Sequence, residues 1–125
     1  MNLIDSHCHL EEIENLGLAI DRAKSVGVVA IVAVGSDYQS NNQVLEIAER
    51  YNGFVYPALG MHPGRLEVSL VNQNLKFIED HLTQARGIGE IGLDYDKRIT
   101  KIAPKELQKS VIKEVLLIAK KYQKP

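Results

Sequence analysis

Two histidines two residues apart, His7 and His9, are the sharpest chemical feature of this 125-residue chain. On an extended segment, residues i and i+2 share a face. Two imidazoles placed that way can reach one metal ion, and imidazole is a common metal ligand. The plainer alternative is a pair of unrelated histidines near the N-terminus. Glu90 is the second feature, with Gly89 and Gly92 beside it. Small neighbours let backbone and ligand approach closely. A carboxylate there can bind a hard or borderline cation, or bridge two of them. A capping or surface role is the commoner fate of a glutamate. His62, in Gly60-Met61-His62-Pro63, can contact a substrate phosphate or shuttle a proton, or it can be a loop histidine held by local hydrogen bonds. Asp5 and Asp94 can orient a ligand histidine or close ordinary turns. His81 suits the C-terminal dipole of a helix, and Cys8 reads as a small buried residue without a reactive role.

These residues must be positioned by regular elements, and the hydrophobic pattern supplies four strand-helix units. A short apolar run, Leu3-Ile4, leads into Asp5 to His9. Leu16, Ala19, Ile20, Ala23 and Val26 recur at helical spacing, with Gly27 after them. Val28 to Val34 is a β-branched run bounded by glycines, the pattern of a strand buried on both faces. Val44, Ile47, Ala48 and Tyr51 mark a second helix. Phe54 to Leu59 is a third strand, although Pro57 argues against a regular ladder there. Val71, Leu75, Ile78 and Leu82 mark a third helix, Gly87 to Ile91 a short fourth strand, and Pro104 opens a last helix through Leu107, Val111, Val115, Ile118 and Tyr122. Alternating strands and helices predict a parallel sheet covered by helices. The polar and glycine-rich residues follow each strand. That end carries ligands both in a (β/α) barrel and in an open doubly wound sheet.

Composition narrows the classes further. A 45% hydrophobic, 25% charged chain with net charge −1 has enough apolar residues for one core and is not a strongly basic nucleic-acid binder overall. The charge is uneven. Residues 1–95 hold six Lys/Arg against thirteen Asp/Glu, and residues 96–125 hold nine against three. Lys105, Lys109 and Lys113 form a stripe at i, i+4, i+8 that reads as a solvated helix face. Lys97, Arg98 and Lys101 read as a loop after the fourth strand, where they can meet phosphates of a nucleic-acid strand or simply solvate the loop. One cysteine excludes an internal disulfide framework. No apolar run is long enough to span a membrane, no leader is visible at Met1 to Asp5, and the expected location is cytoplasmic.

Three segments taken together resemble the TatD-related metal-dependent deoxyribonucleases, within the wider amidohydrolase-like hydrolases. They are Ile4-Asp5-Ser6-His7-Cys8-His9-Leu10, Gly60-Met61-His62-Pro63 and Gly89-Glu90-Ile91-Gly92-Leu93-Asp94-Tyr95, and the similarity extends to Gln108 and Ala119. Val115 departs from the glutamine common at that position. The resemblance implies a TIM-type (β/α)8 barrel, of which residues 1–125 are four β-α units: a half-barrel, the N-terminal half of one domain with its C-terminal half absent. It implies His7 and His9 as ligands of one metal, Glu90 bridging two metals and acting in catalysis, and His62 as a catalytic residue on the substrate side. The implied reaction is hydrolysis of DNA phosphodiester bonds with Mg²⁺ or Mn²⁺, Zn²⁺ also being compatible with two histidines. The family's remaining ligands, two histidines and an aspartate on later strands, have no counterpart in these residues. The expectation is therefore weak or absent activity for the chain alone. A separate C-terminal half or a second copy of the chain is the expected partner besides DNA. A non-catalytic half-barrel module is the alternative reading.

Overall fold

The computed structural model describes residues 1–125. Four strands, β1 (Leu3–Cys8), β2 (Val28–Val34), β3 (Val55–Met61) and β4 (Gly87–Ile91), alternate with helices α1 (Leu16–Ser25), α2 (Tyr38–Arg50), α3 (Val71–His81), α4 (Lys97–Ile102) and α5 (Lys105–Tyr122). The strands pair in parallel, in the order β1-β2-β3-β4. A doubly wound sheet reverses its strand order at a switch point. This sheet does not, so each helix returns the chain to the next position round one curved sheet, and the four units form a half-barrel.

The helices bury their apolar stripes on one side of that sheet. Ile20 of α1 and Val44 of α2 meet Ile31, Ala33 and Val55 in one cluster. Ile78 of α3 and Val111 and Val115 of α5 meet Leu59 and Met61 in the other. The opposite, concave side is covered less. In β2, Ile31 and Ala33 on the helix side are buried, while Ala30 and Val32 on the opposite face are half-buried and only Val34 at the strand end is buried there. The run Val28–Val34 is thus a strand, as its β-branching predicts, but it is not buried on both faces. β1 is exposed along nearly its whole length, Ile4 at 66%.

Two further points differ from the sequence reading. Residues 97–102 form a short helix rather than a loop, capped by the Asp96 side chain, which accepts from Arg98 N–H at 2.8 Å. Pro57 sits inside a central strand, where proline is rare. Its carbonyl accepts from Arg86 N–H at 2.8 Å, on the side of β4, and the β3–β4 ladder begins only at Ala58 opposite Gly87. The donor that proline lacks therefore falls where no partner strand has yet started.

Candidate metal centre

The strand ends deliver the site. His7 is the penultimate residue of β1, and His9 lies just past the strand, at the head of a single 3-10 turn, Leu10–Glu12. Leu10, 2% exposed, anchors that turn in the core. Glu90 lies in β4. On a flat sheet β1 and β4 would be about 14 Å apart, three strand spacings. Curling of the half-barrel brings their concave faces together. His7 Nε2 lies 3.2 Å from Glu90 Oε2, and His9 Nε2 lies 3.8 Å from Glu90 Oε1. The two imidazoles meet edge to face, with centroids 5.3 Å apart.

The backbone around Glu90 is fixed by groups from β2, β3 and α2. Glu90 N–H donates to Gly35 C=O at 3.0 Å, reaching past β3 to the end of β2. Gly60 lies in the path, and a Cβ there would collide with the Gly89–Glu90 backbone, so only glycine fits. Fully buried Asn41 of α2 holds Gly60 at both backbone polar atoms: its Oδ1 accepts from Gly60 N–H at 2.8 Å and its Nδ2 donates to Gly60 C=O at 2.8 Å. The same amide nitrogen reaches Asn74 Oδ1 at 2.8 Å. At the head of α2, Asp37 and Ser40 form a reciprocal capping box. Behind β4, buried Gln108 of α5 clamps the following loop, accepting from Asp94 N–H at 2.8 Å and donating to Asp94 C=O at 2.8 Å and to Ala103 C=O at 2.7 Å.

The donor set fits a divalent ion. His7, His9 and Glu90 form the one group of three or more potential ligand side chains whose donor atoms all lie within 4.8 Å of one another. Ligand bonds of roughly 2.0–2.2 Å place neighbouring donors on one ion about 3–4 Å apart, which the two histidine-carboxylate distances match. Carboxylate oxygen suits Mg²⁺ and Mn²⁺, and the two imidazoles also admit Zn²⁺.

The other candidates fall in different places. His62 heads a 3-10 turn at the same end of the sheet. Its Nδ1 accepts from Gly64 N–H at 3.1 Å, and it stands outside the three-residue cluster. Asp5 Oδ1 accepts from His7 N–H at 3.1 Å and Asp94 Oδ1 from Asp96 N–H at 2.9 Å, so both shape local backbone. His81 stacks on Phe77 with centroids 4.1 Å apart. Burial pushes the Cys8 thiol pKa up, and the charges of Asp5 and Glu11 add to the effect; the thiol lies outside the three-residue cluster. Lys109 pairs with Glu106 and Lys105 lies over the Tyr95 ring, as a solvated face allows. Asn41 was not among the sequence candidates, because an amide inside a polar helical stretch looks like surface until packing is known. Gln108 stood out there only through the family resemblance.

Known proteins match this chain along its length. A family model described as TatD related DNase covers residues 4–125. The human deoxyribonuclease TATDN3 is 33% identical over the whole chain, and the Bacillus subtilis metal-dependent hydrolase YabD is 34% identical over 98% of it. The chain spans about half the length of these relatives, 50% and 48%. Among solved structures, the TatD homologue YjjV from Escherichia coli superposes with a TM-score of 0.80 at 30% identity, over 98% of this chain and 48% of that one. A TatD family hydrolase from Entamoeba histolytica shares the fold, with a TM-score of 0.80 at 22% identity over 98% and 47%. No helix is long and apolar enough to cross a membrane.

Proposed function

The chain belongs to the TatD-related DNase family, and from that membership we propose that it takes part in metal-dependent hydrolysis of DNA phosphodiester bonds. The carrying observation is the convergence of His7, His9 and Glu90 from opposite edges of a four-stranded sheet onto one point. In this reading His7 and His9 hold one ion, and Glu90 is placed to share its two oxygens between ions. Mg²⁺ or Mn²⁺ are the favoured metals, with Zn²⁺ compatible. A divalent ion there would supply Lewis acidity to the phosphodiester and lower the pKa of a water. The chain's own contribution is positional. β1 and its following turn aim the imidazoles, the Gly60–Asn41 contact fixes the Glu90 backbone, and His62, at the same end of the sheet, would act on the substrate side.

Three donors occupy only part of an octahedral coordination sphere. The remaining positions are open to water, to substrate or to donors beyond these four strands, so we expect weak DNA cleavage at most from this chain by itself. The test is titration calorimetry with Mn²⁺, Mg²⁺ and Zn²⁺ beside a metal-dependent plasmid-nicking assay. Saturable binding is expected, weakened at least about tenfold by His7→Ala or Glu90→Gln, with any nicking lost in the same variants. Binding and nicking untouched by both substitutions would place the chemistry elsewhere. The exposed edge strand β1 favours a complementary reading, in which further strands from a separate half or from a second copy of this chain cover the open sheet.

A further inference from the structure

We propose that Glu11 is the positioning residue for His9, holding its imidazole so that Nε2 is the ligating nitrogen. The inference rests on the metal reading above and extends it to a residue that lies outside the ligand cluster. Glu11 lies in the 3-10 turn after β1, and its side chain is only 6% exposed. Its Oε1 lies 3.3 Å from His9 Nδ1. A carboxylate can only accept, so the ring nitrogen facing it must carry the proton. That leaves the lone pair on Nε2, the atom 3.8 Å from Glu90 Oε1. Two acceptors facing each other at that distance make a cation-shaped gap. The negative charge behind the ring also makes Nε2 a stronger donor to a metal.

A purely structural role fits Glu11 poorly. A carboxylate buried this deeply costs free energy unless it is paired. Glu11 has no lysine or arginine partner and caps no helix. The nearby guanidinium of Arg65 goes to Glu12 instead, at 2.9 Å. The second oxygen of Glu11, Oε2, is buried with no hydrogen-bond partner at all. Glu11 also lines a polar cavity of about 270 Å³ shared with Ser36, Asp37, Gln39 and Gln43, but Oε2 itself is closed off from it. The one protein group that Glu11 engages is the ring of a candidate ligand. The fold keeps an otherwise costly carboxylate at the back of His9.

Two readouts test this on the whole chain, with Glu11→Ala, Glu11→Gln and Glu90→Gln. The first needs no metal: long-range ¹⁵N–¹H correlation of the metal-free protein reads the tautomer of each histidine. His9 is expected as the Nδ1–H form in the parent chain and in Glu11→Gln, whose amide oxygen still accepts, and as a mixture dominated by Nε2–H in Glu11→Ala. The second is Mn²⁺ affinity, expected to fall about 10–100-fold in Glu11→Ala, with a smaller loss in Glu11→Gln. If Glu11→Ala does not fold, the parent chain and Glu11→Gln carry the test. An Nε2–H tautomer for His9 in the parent, or affinity in Glu11→Gln equal to the parent, then overturns the proposal. In a folded Glu11→Ala, an unchanged tautomer with affinity within twofold of the parent overturns it as well. Failure of the metal reading looks different: Glu90→Gln would leave Mn²⁺ binding unaltered, while the tautomer measurement would still decide what Glu11 does to His9.

Discussion

Replacing Asn41 by alanine removes one amide that serves three buried groups. The Gly60 N–H loses its only acceptor at 2.8 Å, and Asn74 Oδ1 loses its donor at 2.8 Å. Gly60 C=O loses its 2.8 Å bond and keeps a long contact with Asn74 Nδ2 at 3.5 Å. Leaving a buried polar group unsatisfied costs about 1–3 kcal/mol. Two stranded groups and one weakened one therefore predict a loss of about 2–6 kcal/mol, a large part of the roughly 5–15 kcal/mol that holds a domain together. Because a Cβ at Gly60 would strike the Glu90 backbone, freeing Gly60 also loosens the strand that carries the carboxylate. Mn²⁺ affinity should fall with stability, even under conditions where the variant remains folded. The neighbouring Asn42→Ala is the control: Asn42 is exposed and bonds only Glu46 at 3.0 Å, so its change should stay within about 0.5 kcal/mol. Urea unfolding followed by circular dichroism measures both, with an unchanged slope confirming that midpoints report stability. If Asn41→Ala costs no more than Asn42→Ala, the argument that Gly60 and Glu90 depend on this amide is wrong.

The remaining predictions concern the α3–α5 contact and the open sheet. Glu79 of α3 accepts from Lys121 Nζ at 2.7 Å and from Tyr122 O–H at 3.2 Å, and these hydrogen bonds hold its carboxyl below the usual glutamate range. A lowered folded pKa adds stability above the unfolded pKa of about 4.3 and loses it as pH falls through the folded value. Glu79→Gln should thus unfold at lower urea than the parent at neutral pH and match it in acid; a gap that persists in acid contradicts the assignment. The exposed β1 edge, together with Leu116 and Leu117 at 54% and 52% exposure, predicts concentration-dependent association. Light scattering should show a mass that rises with concentration, and a constant monomer mass counts against it.

Several features were legible in the residues alone because they are local. The β-branched run Val28–Val34 and the glycines around it mark a strand without reference to anything distant. The helical stripes of Leu75 and Ile78, or of Val111 and Val115, predict which faces are buried, and the structure buries Ile78, Val111 and Val115. The short helix Lys97–Ile102 was not legible, since six residues are too few to establish a period and its start depends on one cap, Asp96. Strand order was open as well. Local pattern is the same in a barrel and in a doubly wound sheet, and only the sequential β1-β2-β3-β4 pairing separates them.

The same division runs through the site. Residue pattern alone puts His7, His9 and Glu90 at strand ends, because the strand-helix alternation gathers the ends of all parallel strands at one end of the sheet. It could not determine that β1 and β4, which are not neighbours in the sheet, bring these side chains within 3.2 and 3.8 Å of one another. Nor could it tell Asn41 from Asn42, or show that Glu11 turns inward while Glu12 reaches out to Arg65. Those outcomes depend on sheet curvature and on which polar atoms are taken out of water. Both are set by contacts between residues far apart in the chain, so tertiary structure decided them.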